Sequence, residues 1–120
     1  MLHTLLPIAV GAISGALLRW LLGTLFAAGS WLFSPAILAA NWIGAFAIGI
    51  CAEWIQHPQW RLLLITGFLG SLTTFSGFSL EIVNLMQSQR WGAAFLSAAL
   101  HLGGSIVLTA AGIWLVQQFK

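Results

Sequence analysis

Residues 67–79, GFLGSLTTFSGFS, put three glycines, five hydroxyl side chains and three phenylalanines inside an otherwise apolar run. Glycine is a poor helix former, and tandem Thr and Ser side chains offer the backbone competing hydrogen-bond partners, so a helix through this stretch is expected to be interrupted. In hydrocarbon each unpaired N–H or C=O costs several kcal/mol. Non-helical backbone at membrane depth therefore survives only where protein buries it, or where it lines a cavity or binds an ion. The stretch is thus the expected functional centre, with the break near 70–76.

That argument needs a membrane, and composition supplies one. Hydrophobic residues make up 60% of the chain and charged residues 5%, against roughly 25% charged in a soluble domain; the mean hydropathy is +1.00. About 20 residues cross a bilayer as a helix, so 120 residues hold four spans and little else. The spans are expected at approximately 5–27, 35–56, 61–87 and 91–119, as a single four-helix transmembrane domain without an extramembrane one. The apolar N-terminus lacks a basic leader and reads as a retained helix rather than a cleaved signal. The first span should end in a Gly29–Ser30 turn, Pro35 suits the first turn of the second, and His57-Pro58 should close it. The expected class is an all-α, multi-pass protein of the cell (inner) membrane.

Charge informs through placement. With the N-terminus on one side, Arg61 and Lys120 fall on that side and Arg19 and Arg90 on the other. The positive-inside rule then favours neither orientation, as expected of a chain that inserts both ways, and an antiparallel dimer follows as a hypothesis. Four dispersed basic residues form no patch, so the basic pI does not point to nucleic acid. Trp20, Trp31, Trp54, Trp60, Trp91 and Trp114 sit near span ends, as interfacial anchors do. Small residues recur at four-residue spacing, Gly11 with Gly15, Ala40 with Gly44 and Ala45 with Gly49, and so let helices approach closely. Cys51 is alone, which excludes an intrachain disulfide and a thiolate metal cluster; it reads as a small packing residue.

Polar side chains within spans usually face a bundle interior or an aqueous path. Arg19 either snorkels to headgroups or sets a positive potential at a vestibule mouth. Asn41, the amide well inside span two, either bridges helices or presents two N–H donors to an anion. Glu81, about one turn beyond the unusual segment, either relays protons or holds a cation, or else hydrogen-bonds the helix that restarts there. His101, Ser105 and Thr109 share one face of the fourth helix at i, i+4, i+8 spacing and read as a polar track. With no Asp, no nucleophile elbow and no zinc-ligand spacing, an enzyme is not expected.

At these residues the chain resembles the small fluoride-channel family known as Fluc or CrcB. GAISGALLRW (11–20) is similar to its first-helix GxxxGxxxRW/Y pattern, AANWIGAFAIG (39–49) to VNxxGxFxxG, and TGFLGSLTTFSGFSLE (66–81) to the signature TGfcGGlTTFSTFsxE; LHLGGSIVLTAAG (100–112) resembles the fourth helix. The resemblance implies four transmembrane helices per subunit, the third broken mid-membrane, in an antiparallel (dual-topology) homodimer with two pores. It implies a structural sodium ion between subunits, held by the backbone carbonyls of Gly70 and Thr73. On the fluoride pathway it implies Phe75 and Phe78, the adjoining Ser76, Asn41, Ser105 and Thr109, with Arg19 near the vestibule and Glu81 and His101 as possible pathway or supporting residues. Three departures stand out: Gly77 for the usual threonine, Ser71 for a common second glycine, and Ile37 for a frequent threonine.

The expected function is passive, fluoride-selective export from the cytoplasm, with fluoride, sodium, a second copy of the chain and the bilayer as partners. Two other readings stand beside this one. Small proton-coupled multidrug exporters also have four spans, but resemble one another in a first-span glutamate that this chain lacks. A structural assembly protein would use its hydroxyls only to join helices.

Overall fold

The computed structural model describes residues 1–27 and 32–120. The expected Gly29–Ser30 turn and Trp31 lie outside the described residues. The chain runs through α1 (Leu2–Leu25), α2 (Pro35–Trp54), α3 (Pro58–Arg61), a π-helical segment (Leu62–Leu69), α4 (Gly70–Leu72) and α5 (Phe75–Gln87). It continues through α6 (Trp91–Ala99), a second π segment (Leu100–Gly104) and α7 (Ser105–Gln117). Among the described residues there is no strand. Four stretches are long and apolar enough to cross a membrane: Leu2–Leu25, Pro35–Trp54, Pro58–Gln87 and Trp91–Gln117. The protein is a multi-pass integral membrane protein. Its long dimension, 47 Å, matches a bilayer with its headgroup layers.

Local chemistry sets the helix starts. Ser34 is the N-cap of α2, its Oγ accepting from Ile37 N–H at 3.3 Å, and Pro35 takes the first helical position, where a missing N–H is harmless. At α3 the same device recurs: His57 Nδ1 accepts from Gln59 N–H at 3.2 Å and Pro58 follows.

The first span packs on the third and the second on the fourth. Backbones come into contact there because side chains are missing: a Cβ on Gly15 would run into the Phe68 carbonyl, and one on Gly49 into the Thr109 carbonyl. Ala40, Leu69 and Leu72 form the buried centre, with Leu18, Leu22, Phe68 and Cys51 packed against it. A second cluster, Leu85 with Ala93 and Ala94, joins α5 to α6. Trp20, Trp54, Trp60, Trp91 and Trp114 are exposed, as lipid-interface anchors require. At one end, Arg61 Nη1 donates to the carbonyls of Ile55 at 2.7 Å and Ala52 at 3.2 Å, and Lys120 Nζ to that of Glu53 at 2.8 Å. These cations satisfy carbonyls at the C-terminus of α2, where the helix dipole favours positive charge.

Candidate functional site

The third span changes backbone conformation at two threonines. α4 ends at Leu72, Thr73 (φ −79°, ψ 152°) and Thr74 (φ −147°, ψ 116°) are extended, and α5 begins at Phe75. Thr74 restarts the helix as its N-cap, Oγ1 accepting from Gly77 N–H at 2.9 Å, with Ser76 Oγ 3.1 Å from the same oxygen. Thr73 turns back instead: its N–H and its hydroxyl both donate to the Leu69 carbonyl, at 3.1 and 2.9 Å. In an unbroken α-helix Thr74 N–H would serve the Gly70 carbonyl and Gly77 N–H the Thr73 carbonyl. Both donors are engaged elsewhere, by Asn41 and by Thr74 Oγ1, so those two carbonyls lose their helical partners.

Asn41 on α2 holds the step from outside the span. Its Oδ1 accepts from Thr74 N–H at 2.8 Å, and its Nδ2 donates to the Thr74 carbonyl at 3.2 Å and to His101 Nδ1 at 3.1 Å. The Thr74 amide fixes which way the Asn41 amide faces, and both Nδ2 hydrogens are then taken. Of the two roles read for Asn41 in the sequence, the bridging one is the one these bonds make. Because Nδ2 can only donate, His101 Nδ1 is an acceptor and the imidazole proton lies on Nε2. His101 is 4% exposed; its ring stacks at 4.5 Å on Phe78, which meets Phe75 at 5.6 Å. Glu81 leaves its own helix start alone: its Oε1 accepts from Ser34 N–H, the N-cap residue of α2.

Asn41, Gly70, Thr73, Phe75, Phe78, His101, Ser105 and Thr109 line one open cleft of about 420 Å³. Thr109 donates its hydroxyl to the Ala45 carbonyl at 2.9 Å; among the described residues the Ser105 hydroxyl has no partner. An α-helix drifts roughly 40° for every four residues. The wider π turn at Leu100–Gly104 takes back part of that drift and keeps His101, Ser105 and Thr109 on the cleft. Arg19 lies outside the cleft lining, with its Nε donating to the Ser71 carbonyl at 3.1 Å, so it serves the end of α4. Glu81 reaches the cleft only through His101, and Ser76 is exposed beside Thr74.

Three contributors were not singled out in the sequence. Thr74 makes most of the bonds at the step. Trp42 donates its indole N–H to the Leu100 carbonyl at 2.9 Å and lies on Gly104, buttressing the second π segment. Its sequence signal was being the one tryptophan of seven away from a span end. Ser97, fully buried, continues the row one turn before His101.

A family model described as "CrcB-like protein, Camphor Resistance (CrcB)" matches residues 6–113. The chain is 55% identical to a protein of Neisseria meningitidis serogroup A named "Fluoride-specific ion channel FluC", over 94% of each chain. It is 49% identical to a protein of that name from Albidiferax ferrireducens, over 92% of this chain and 88% of the relative. With one from Chromobacterium violaceum it shares 44% identity over 94% of each.

Proposed function

The chain belongs to the CrcB family, and on that premise we propose that it is a fluoride-selective channel through which the ion leaves the cytoplasm down its own gradient. Its curated relatives are named as fluoride-specific ion channels, so the family is one of channels and not of enzymes. The observation that carries the reading is the extended Thr73–Thr74 step set beside two phenylalanines and a row of polar side chains on one cleft.

Moving a bare anion into a low-dielectric medium costs on the order of tens of kcal/mol, while one charge-assisted hydrogen bond returns about 1.5–3 net. Several donors must act in sequence. The Ser105 hydroxyl, unpartnered in the cleft, is the readiest; Thr109 and Ser76 can turn their hydroxyls to the ion; and the edges of Phe75 and Phe78 carry the positive end of the ring quadrupole. Asn41, with both N–H groups engaged, acts by holding Thr74 and His101 in place. Arg19 adds positive potential from the mouth.

The proposed assembly is an antiparallel homodimer with one pathway per subunit, each third span broken at membrane depth. Phe75 is 78% exposed and Leu102 and Ile106 are more than half exposed beside the cleft, so a second copy would cover apolar rings and close the open side. The carbonyls of Gly70 and Thr73, hard oxygen donors without helical partners, fit a hard cation; from both subunits they would hold a structural sodium ion. Bound there, the ion supplies positive charge that offsets the two breaks.

The test is an efflux assay on reconstituted liposomes with a fluoride electrode. Fluoride should pass and chloride should not, and Phe75→Ile or Phe78→Ile should cut the flux at least tenfold, since each removes a ring edge without unfolding a span. Full flux in both variants would refute the assigned roles of the rings.

A further inference from the structure

Among the described residues, the buried side-chain polar atoms without a hydrogen-bond partner are Glu81 Oε2, Ser97 Oγ and His101 Nε2. Such atoms are rare, because each unsatisfied group costs free energy that a partner would recover. All three side chains are at least nine-tenths buried: Ser97 is 0% exposed, and the His101 and Glu81 side chains are 4% and 10% exposed. Glu81 and His101 are neighbours, and Ser97 lies one turn before His101 on the same helix. Leu85 on α5 packs with Ala93 and Ala94 on α6, and α5 and α6 run antiparallel across a short turn. One turn back along α5 and one turn on along α6, that register sets Glu81 level with Ser97. His101 follows one turn later, with Nε2 3.9 Å from Glu81 Oε2.

A separation of 3.9 Å is too long for a direct hydrogen bond. A small molecule within bonding distance of each would stand off the line between the two atoms. We propose that Glu81, Ser97 and His101 form a buried binding site for one molecule of water's size that both accepts and donates hydrogen bonds. The donor side is fixed by Asn41, which keeps the imidazole proton on Nε2 and aims it at the guest. The carboxyl oxygen exchanges a hydrogen bond with the guest whether or not it carries its own proton, and the serine hydroxyl turns to either role.

The guest completes a line from the first turn of α2 to the backbone step of the third span: Ser34 N–H, Glu81, guest, His101, Asn41, Thr74. His101 is on this account a positioning residue, and the start of α2 is tied to the Thr73–Thr74 conformation. Two sources fit the chemistry, water and hydrogen fluoride, the halide with its proton. Only the second rests on the fluoride reading.

The experiment uses the full protein, labelled with ¹⁵N-histidine and reconstituted in lipid bilayers, followed by solid-state NMR first in fluoride-free buffer. His101 is assigned by the signal lost in His101→Gln. The expected result is an unprotonated Nδ1, a protonated Nε2, and magnetisation transfer from water to the Nε2 proton. Ser97→Ala takes away one of three partners and should weaken that transfer while leaving the tautomer unchanged. Added sodium fluoride either leaves the water contact, which assigns the guest as water, or replaces it with a ¹⁹F–¹⁵N contact at Nε2, which assigns the halide. A proton on Nδ1, a Nε2–H with no contact to water or fluorine, or a transfer unchanged in Ser97→Ala overturns the site, whatever the flux assay reports.

Discussion

Asn41 makes three hydrogen bonds in a membrane interior, two of them to the backbone of a single residue, Thr74. Asn41→Ala would leave the Thr74 N–H and C=O without partners in a place where water does not readily substitute, at about 1–3 kcal/mol for each group. The variant should therefore unfold in detergent at a clearly lower temperature, by about 2–6 kcal/mol of stability, and lose most of its flux. Asn41→Asp is the finer probe: it keeps an oxygen for Thr74 N–H but sets another against the Thr74 carbonyl and His101 Nδ1, which both need a donor. If thermal melts of both variants overlay the parent, Asn41 does not hold the step. At this scale the sequence went part of the way. An amide deep in an apolar span was visible as unusual, but its partners lie 33 and 60 positions along the chain. No spacing rule reaches that far, so the sequence alone could not name the groups that Asn41 bridges. Ser97 escaped for another reason: a lone serine among alanines reads as a packing residue, and only its full burial with an unpartnered hydroxyl sets it apart.

Helices in this protein are separated by what their glycines lack, and the glycines are not equivalent. Gly49 faces the Thr109 carbonyl of α7 with no space for a Cβ, whereas a Cβ on Gly23, near the end of α1, meets nothing within 4 Å. Gly49→Ala should push α2 from α7, disturb the Thr109 hydroxyl bond to Ala45, and destabilise by about 1–3 kcal/mol, the usual range for overpacking. Gly23→Ala should be neutral or stabilise by up to about 1 kcal/mol through helix propensity. Paired thermal melts in one detergent decide it, and equal shifts in the two variants would sink the close-packing account. Element-scale structure was the most legible part of the chain, because four apolar runs bounded by Pro35 and His57-Pro58 allow few alternatives, and the GFLGSLTTFSGFS stretch contains the extended pair Thr73–Thr74. The π segments were not legible. Closing i→i+5 at Leu100–Gly104 goes with Trp42 resting on Gly104 and donating to the Leu100 carbonyl, a contact between spans that no local pattern announces.

For the whole molecule, orientation is the property on which the proposed pairing depends. Arg61 and Lys120 cluster at one end, fastened to carbonyls at the close of α2. Arg90 lies in the α5–α6 turn, near the end of the molecule where α1 ends and α2 begins, and Arg19 is tied to Ser71 on the way there. With two basic residues assigned to each side, the positive-inside rule exerts no net pull, and both orientations should insert. Two added lysines ought then to tip the balance, since the bias depends on Lys and Arg counted close to the span ends. Gln87→Lys with Ser88→Lys loads the α5–α6 end, and Gln56→Lys with Gln118→Lys loads the opposite end; all four side chains are exposed. Expressed alone, each doubly substituted protein should insert mainly one way, be unable to build antiparallel pairs, and lose most fluoride flux. Expressed together, the two should restore it, because each supplies the orientation the other lacks. Flux from either variant alone at the parent level, with labelling by a membrane-impermeant reagent proving a single orientation, would show that antiparallel pairing is not required. Recovery only on co-expression is an outcome a purely local defect in either variant does not produce.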